Sequence, residues 1–283
     1  MQAEQQRAPE RIPEGGAEVT RVVTSTDALK ALGLCLILLD HFAYYVQPEL
    51  DWMHALGRGA LPVFFFLIGF ARTRTVPRFW LAAGVLLTLL GWLHLGRDWD
   101  HITLNILLSF ALVRLALPFV ERHVMGSSWR VAGLVAVLLA LSYPADMALD
   151  YGTSGWLLAL VGLSHRRALE AGPDRPRDPA WLTRRILGAL ATLLFVANEI
   201  HDYEFATFEA FIAAGSIIAA GGLLLRFRRV ELGWRPPQAL AAMLQLCGRR
   251  SLEIYIAQIL GLMALGVALG VEPDDGRVRA FSD

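Results

Sequence analysis

The chain has little charge and almost no lysine. Only 18% of its 283 residues are charged, against ~25% in soluble domains, while 55% are hydrophobic and the mean hydropathy is +0.46. This balance excludes a disordered chain and argues against a water-soluble enzyme. The 26 basic residues, of which only Lys30 is a lysine, are cancelled by 26 acidic ones, which excludes a globally basic nucleic-acid-binding protein.

Cysteine and the familiar catalytic signatures are also scarce. Cys35 and Cys247 have neither metal-ligand spacing nor partners for a disulfide framework, so we expect buried thiols. The chain contains no P-loop, no G-x-G-x-x-G before a strand, no H-E-x-x-H and no G-x-S-x-G. These absences point away from soluble nucleotide, zinc-protease and serine-hydrolase chemistry, and we predict no metal site.

Long apolar runs are what the chain does contain. A helix that crosses a bilayer needs about 20 apolar residues, so the runs predict an all-α, polytopic membrane helix bundle with about nine transmembrane helices. Three of these runs are short and are predicted to be tilted, broken or extended by polar residues that line a cavity. Two of the short runs, 129–143 and 153–164, could instead form one re-entrant hairpin. The nine runs are residues 28–46, 57–71, 79–95, 102–120, 129–143, 153–164, 182–197, 205–225 and 251–271, with the short ones at 57–71, 129–143 and 153–164.

Polar residues concentrate at the two ends of the chain. Residues 1–27 are rich in Gln, Glu, Pro and Gly and contain no secretory signal, so we expect a disordered cytoplasmic tail. Residues 28–271 are predicted to form one transmembrane domain, and residues 272–283 a short polar C-terminal tail.

Basic residues set the predicted orientation. If each run crosses once and the N-terminal tail is cytoplasmic, 21 of the 26 basic residues fall on the cytoplasmic side and only four on the outer side, with Arg114 inside a span. Cytoplasmic loops of membrane proteins carry this excess. The acids sort the other way, with 15 of 26 on the outer side. The pattern therefore predicts nine crossings with the N-terminus in the cytoplasm.

The first apolar run holds the best candidate residues for chemistry. Asp40 and His41 lie near its outer end, and ionisable groups at membrane depth are costly unless they function. Beside a carboxylate, a histidine can be held in one tautomer and act as a general base. Lys30 precedes His41 by three helical turns, so the two share a helix face about 16 Å apart along the axis. The alternatives are an interfacial Asp-His pair and a lysine whose amine reaches the cytoplasmic interface.

Arginines near the second run form a second group of candidates. Arg58 either anchors the helix at the interface or faces an acid such as Asp40 or Asp51. A basic loop on the inner side contains Arg72 and Arg74, and arginine forks suit phosphate oxygens; alternatively these residues serve only the positive-inside topology.

Several short motifs, in this order and spacing, resemble the TraX-type membrane acetyltransferases, a family within the wider transmembrane acyltransferase superfamily. In that superfamily a basic residue with ten residues before a histidine marks the first helix, and Lys30 and His41 match this spacing. Gln258 falls where wider relatives often carry histidine. The match is dense over residues 27–120 and thin over 165–240. Its motifs are DALK at 27–30, LLDH at 38–41, LGRGALPVF at 56–64, GFARTR at 69–74, LNIL at 104–107, DYG at 150–152 and SLEIYI at 251–256.

The resemblance implies a donor, an acceptor and a location. Acetyl-CoA would bind from the cytosolic side through a pore in the bundle, in a multi-pass protein of the bacterial cytoplasmic (inner) membrane. The family is tied to N-acetylation of the pilin N-terminus, and the superfamily includes glycan O-acetyltransferases, so the acceptor would be a pilin peptide or a cell-surface glycan.

The resemblance also implies roles for the candidate residues. His41 would be the general base and Asp40 its orienting carboxylate, with Arg58 stabilising negative charge or pairing with a carboxylate. On the side of acetyl-CoA would lie Lys30, Arg72, Arg74 and Asn105.

Two other functions remain open on the sequence. A transporter or flippase could use Lys30, Asp40 and His41 as a proton or anion relay. Inverted repeats would favour that function, and the sequence shows none. The remaining alternative is a membrane scaffold without chemistry.

Overall fold

The computed structural model describes residues 22–95, 103–172, 179–233 and 236–271. Over these ranges the chain is all-helical, and its only β-type pairings are the isolated bridges Thr24–Glu231 and Leu104–Leu149. The all-α prediction is therefore confirmed for the described part of the chain. The helices are α1 (Ser25–Tyr45), α2 (Asp51–Gly57), α3 (Ala60–Phe70), α4 (Arg78–Leu95), α5 (Ile106–His123), α6 (Ser128–Ala140), α7 (Ser142–Asp146), α8 (Ser154–Glu170), α9 (Pro179–Tyr203), α10 (Thr207–Leu225), α11 (Gln238–Arg249) and α12 (Ser251–Leu269).

Each of the nine predicted runs overlaps a helix, but several boundaries differ. α8 continues six residues beyond the predicted end at residue 164, and α9 continues six residues beyond 197. Three further helices, α2, α7 and α11, lie wholly or partly in stretches predicted as loops. The apolar runs missed these parts because their charged and polar side chains interrupt the hydropathy without interrupting the helix.

Within the described residues, four helical segments are long and apolar enough to cross a membrane: Ser25–Tyr45, Asp51–Phe70, Thr207–Leu225 and Ser251–Leu269. Shorter apolar helices are Arg78–Leu93 and Ser128–Ala140. Many large apolar side chains of the described residues face outward, including Leu115, Phe119, Phe208 and Phe211. An apolar exterior of this extent fits contact with lipid. The chain is thus a helical membrane protein, while the count of nine crossings stays a prediction.

α1 begins at Ser25, three residues before the predicted start, because Thr24 and Asp27 form a capping box. The Thr24 hydroxyl accepts from the Asp27 amide at 3.2 Å, and the Thr24 amide donates to the Asp27 carboxylate at 2.9 Å. Val23 is buried, so the residues just before α1 pack on the bundle. The rest of the predicted N-terminal tail, and the predicted C-terminal tail, lie outside the described residues.

The short predicted run at residues 57–71 belongs to a longer, membrane-length helical segment, Asp51–Phe70, which is interrupted in its middle. α2 ends at Gly57, and α3 begins at Ala60. Pro62 has no amide hydrogen to donate to the carbonyl of Arg58, so the helical ladder is interrupted at this point. The buried Arg58 lies at this interruption, between the end of α2 and the start of α3.

α3 is the most buried helix of the bundle and packs closely against α8. Small residues allow the close approach, as is common between membrane helices. A Cβ atom on Gly69 would meet the backbone of Ala159, and one on Gly162 would meet the backbone of Phe66. Glycine is therefore required at both contact points.

The two cysteines are not the buried thiols that we expected. Cys35 is exposed, because it lies on the outward face of α1 together with Leu32 and Leu38. Cys247 is half-buried on α11.

Candidate active site

Two cavities of about 200 Å³ each lie along the same face of α1. The first, which we call the histidine cavity, has a polar lining that includes Asp40, His41, His54, Arg58, Asn105 and Asp150. The second, the lysine cavity, has mostly apolar walls and two cationic residues, Lys30 and Arg114. The two cavities share three lining residues, Ile37, Ile106 and Tyr255, which therefore form the wall between them. Lys30 and His41 lie on one continuous helix, one at each cavity, as the spacing predicted.

Arg58 is the charge centre of the histidine cavity. Its side chain is only 2% exposed and forms ion pairs with Asp40 of α1 and with Glu199 of α9, the latter at 3.3 Å. The Tyr151 hydroxyl accepts a hydrogen bond from the same guanidinium at 3.3 Å, and the Tyr203 ring lies 4.6 Å from its central carbon. The sequence left open whether Arg58 anchors the interface or faces Asp40 or Asp51; the structure pairs it with Asp40.

Asp40 does not orient His41 as expected. Besides Arg58, its carboxylate contacts the Nδ1 atom of His54 at 2.6 Å. α2 brings His54 to this position because Gly57, one turn further along, lets the helix approach α1 so closely that a Cβ there would meet Asp40. Successive residues of a helix point in different directions, so Asp40 and its neighbour His41 serve different partners.

His41 faces the histidine cavity with other neighbours. The amide of Gln258 on α12 lies 3.4 Å from its Nδ1 atom. The rings of Tyr45 and Tyr255 pack against the imidazole with centroid separations of 6.1 and 5.8 Å. His41 therefore lies beside the wall that separates the two cavities, which Tyr255 helps to form.

Asn105 borders the histidine cavity, although the sequence assigned it to the side of acetyl-CoA. It caps α5: its side-chain oxygen accepts from the Leu107 amide at 3.1 Å. The next amide, that of Ile106, donates to the carboxylate of Asp150 at 3.1 Å. Both side chains thus satisfy the amides at the start of α5 and fix its N-terminus at the cavity.

The lysine cavity is cationic at two points. The Lys30 amine donates to the backbone carbonyl of Gly248 at 2.7 Å, near the end of α11. Arg114 donates to the carbonyl of Thr73 at 3.0 Å and packs over the Trp80 ring at 4.9 Å. A backbone carbonyl thus accepts a hydrogen bond from each of the two cations.

Arg72 and Arg74 lie nearby but do not line either cavity. Arg72 is exposed and pairs with Glu170 at 2.9 Å. Arg74 donates to the carbonyls of Ile68 and Gly69 at the end of α3 and pairs with Glu121 at 3.3 Å. The arginine of the lysine cavity is instead Arg114, which the sequence noted only as a polar residue within a span.

Glu121 lies at this end of the bundle, just beyond the apolar part of α5. It forms ion pairs with Arg74 and Arg166, and we call these three residues the Glu121 cluster. Burial by itself raises the pKa of the Glu121 carboxyl, but the hydrogen bonds and charges of Arg166 and Arg74 outweigh it, so the pKa lies below its usual value. The cluster ties α3, α5 and α8 together.

Sequence reasoning missed two residues that contact the Asp40–Arg58 ion pair, His54 and Glu199. His54 belongs to none of the motifs on which the resemblance rests. Glu199 lies beyond residue 197, where the seventh apolar run was predicted to end, yet α9 continues past it and buries it against Arg58. A helical reading of residues 198–203 would have put Glu199 one turn from Tyr203, on the same face. Among the described residues, no group of His, Cys, Asp or Glu could hold a metal ion.

Comparisons with known proteins converge on one family. A family model described as TraX protein matches residues 25–200. Protein TraX of Escherichia coli strain K12 is 28% identical over 211 residues, which cover 71% of this chain and 78% of the relative. A second Escherichia coli Protein TraX is 31% identical over 149 residues, 50% of this chain and 56% of the relative. An uncharacterised protein of Rickettsia prowazekii is 28% identical over 141 residues, 48% of this chain and 54% of the relative. No solved structure matches the chain.

Proposed function

Since the chain belongs to the TraX family, we propose that it is an integral membrane acetyltransferase. It takes acetyl groups from acetyl-CoA on the cytoplasmic side and transfers them to an acceptor on the outer side of the bacterial inner membrane. The acceptor is an amine, such as the N-terminus of a pilin peptide, or the hydroxyl of a cell-surface glycan. Its histidine cavity receives the acceptor and its lysine cavity the donor.

The stacking of the two cavities is the observation that carries this proposal. A cationic, otherwise apolar cavity and a cavity with two histidines lie on one face of α1 and share a wall. A thioester donor needs both environments, because its phosphates require cations while its acetyl group must reach a proton acceptor. The shared wall is where the reacting carbonyl would lie.

The residues present fit acetyl-CoA as a donor substrate. Lys30 and Arg114 supply positive charge at the lysine cavity, with Arg72 and Arg74 on the same end of the bundle. The apolar walls of that cavity, formed by residues such as Leu67 and Phe110, suit the narrow part of acetyl-CoA that joins its phosphates to its thioester. We assign phosphate binding to Lys30 and Arg114 first, because Arg72 and Arg74 already pair with glutamates.

At the histidine cavity the chain supplies proton transfer and charge stabilisation. His41 lies beside the shared wall and is the histidine nearest the incoming thioester, so it transfers the proton that the reaction of the thioester requires. Arg58 holds Asp40 ionised by direct pairing. The negative charge that develops on the thioester oxygen during transfer is stabilised by donors near the wall, among which Asn105 and Tyr255 are the closest candidates.

A transporter is the second candidate, and the same wall favours it. Two half-cavities separated by a constriction are typical of alternating access, in which substrate moves from one to the other. Lys30, Asp40 and His41 would then relay an ion. This candidate predicts movement of a solute with no chemical change.

An assay with labelled acetyl-CoA distinguishes the acetyltransferase from the transporter. The purified full chain in lipid nanodiscs is incubated with acetyl-labelled CoA and a peptide with a free N-terminal amine, or a glycan. We expect label on the acceptor together with release of free CoA, loss of both in His41→Ala, and no loss in His123→Ala, whose histidine is exposed at the opposite end. Wild-type protein that neither binds nor turns over acetyl-CoA overturns the enzyme proposal. In sealed vesicles, solute uptake without acetyl transfer would favour the transporter.

A further inference from the structure

We propose that His54, oriented by Asp40, is the residue that takes the proton from the acceptor, while His41 serves the CoA side of the same reaction. This assignment rests on the proposed acetyl transfer. It adds a catalytic residue that the motifs do not contain and gives Asp40 a positioning role towards His54 instead of His41.

The geometry of the pair carries the assignment. His54 Nδ1 lies 2.6 Å from the Asp40 carboxylate, a short charge-assisted hydrogen bond in which the imidazole donates. A proton fixed on Nδ1 leaves the lone pair on Nε2, the tautomer that a general base requires. His54 lines the histidine cavity, and its side chain is 15% exposed, so the ring reaches open space.

The surroundings hold the ring in place and keep its partner charged. Tyr44 of α1, Tyr203 at the end of α9 and Phe205 beyond it pack around the imidazole with centroid separations of 6.5, 4.7 and 5.8 Å. Arg58 pairs with the same Asp40 oxygen that His54 contacts. The carboxylate favours the charged form of the histidine that results when the base accepts a proton, while the guanidinium of Arg58, whose Nη2 lies 3.5 Å from His54 Nδ1, opposes it.

His54 and His41 differ in their neighbours, because aromatic residues at the turn between α9 and α10 pack against His54. His54 contacts this turn, on the predicted outer side, where an acceptor would enter. His41 contacts Tyr255 at the wall shared with the lysine cavity, where the donor would end. The two imidazoles line one cavity from these two sides.

The transfer then balances with no further reactant. The amine nitrogen of the acceptor, entering as the free base, attacks the thioester carbonyl carbon, so a C–N bond forms. An N–H bond breaks and its proton moves to His54 Nε2. The C–S bond breaks, and the proton that His54 accepted passes across the cavity by way of His41 to the CoA sulfur, so both imidazoles return to their starting state. The net products are the acetylated amine and CoA as a thiol; a hydroxyl acceptor follows the same sequence with a C–O bond.

The His54→Asn variant tests this role because asparagine can keep the hydrogen bond to Asp40 while it lacks Nε2. The full chain in nanodiscs is assayed for acetyl transfer, for acetyl-CoA binding and for thermal unfolding, with His123→Asn as the matched control. We expect a loss of transfer rate of roughly 10²–10⁴-fold, as for other general bases. Binding of acetyl-CoA and unfolding should match the wild type, and free imidazole should restore part of the rate.

Other results overturn the assignment. A His54→Asn rate within a few-fold of the wild-type rate shows that His54 is not the base, while transfer by the wild type keeps the proposed function intact. Should His54→Asn unfold early, His54→Gln is tested in the same way, and loss of rate without imidazole rescue in a folded variant assigns His54 a structural role. Absence of transfer in the wild type is the separate failure of the proposed function.

Discussion

Asp40, near the predicted outer end of the membrane-length helix α1, forms an ion pair with Arg58, which lies at the break between α2 and α3. Both side chains are almost fully buried, and Glu199 approaches the same guanidinium from α9. Charges at this depth persist only when each one has a partner. The pair therefore joins the first two membrane-length segments and positions the histidine cavity at the same time.

Replacing Arg58 should destabilise the bundle strongly. Arg58→Met leaves the carboxylates of Asp40 and Glu199 without their shared cation, and breaking a buried pair costs about 3–5 kcal/mol. Arg58→Lys should fall between the wild type and Arg58→Met, because an ammonium cannot contact both carboxylates through a rigid fork. Thermal unfolding in detergent measures the change.

The exposed arginine Arg72 provides the matched control for this prediction. Its pair with Glu170 lies at the surface, so Arg72→Met should cost about 0–1 kcal/mol. Equal unfolding temperatures for Arg58→Met and Arg72→Met would contradict the role given to Arg58.

The contact between α3 and α8 should not tolerate an added methyl group. In Gly162→Ala the new Cβ would meet the backbone of Phe66, and overpacking of this kind costs about 1–3 kcal/mol. Gly133→Ala in α6 is the control, because nothing lies within 4 Å of a Cβ there. We expect the first variant to unfold at a lower temperature and the second at the wild-type temperature or above, since alanine favours helix more than glycine does.

The Glu121 cluster predicts a pH dependence of stability. The folded pKa of this carboxyl lies below its unfolded value of about 4.5, so the ion pairs stabilise the fold above that pH and are lost as the pH falls through the folded pKa. Compared with Glu121→Gln, the wild type should be more stable at pH 7, by no more than about 1 kcal/mol for this partly exposed site. The difference should shrink towards zero in acid, as measured by unfolding at a series of pH values. A difference that grows in acid would show that Glu121 is not held ionised.

The wall between the cavities should control transfer more than binding. Ile37→Phe enlarges a side chain that lines both cavities, whereas Leu38→Phe enlarges its exposed neighbour. We expect the first variant to lower acetyl transfer about tenfold or more, because a displaced reacting group loses its alignment. Its affinity for CoA should stay close to that of the wild type, and Leu38→Phe should change neither quantity. Equal effects of the two variants on transfer would place the reacting carbonyl elsewhere.

Much of the fold could be predicted because a membrane helix can be recognised from the hydropathy of its own consecutive residues. Each of the nine apolar runs overlaps a helix, and the spacing of Lys30 and His41 put both on one face of α1. The helix boundaries were less accurate where polar residues continue a helix, as at Glu199. α11 escaped prediction for a related reason: it is amphipathic and packs on α1 instead of forming a long apolar run.

The sequence by itself determined that the chain is a helical membrane protein, which helix carries Asp40 and His41, and which family the chain belongs to. Hydropathy, helical period and motif spacing are properties of neighbouring residues, and these conclusions depend on nothing else. Only the tertiary structure decided that Asp40 faces His54 and Arg58, that Glu199 shares the guanidinium from a helix 141 residues away, and that Arg114 instead of Arg72 or Arg74 lines the lysine cavity. The physical reason is that a buried charge selects its partner by packing, through the break at Pro62 and the close approach at Gly57, and neither leaves a pattern along the chain.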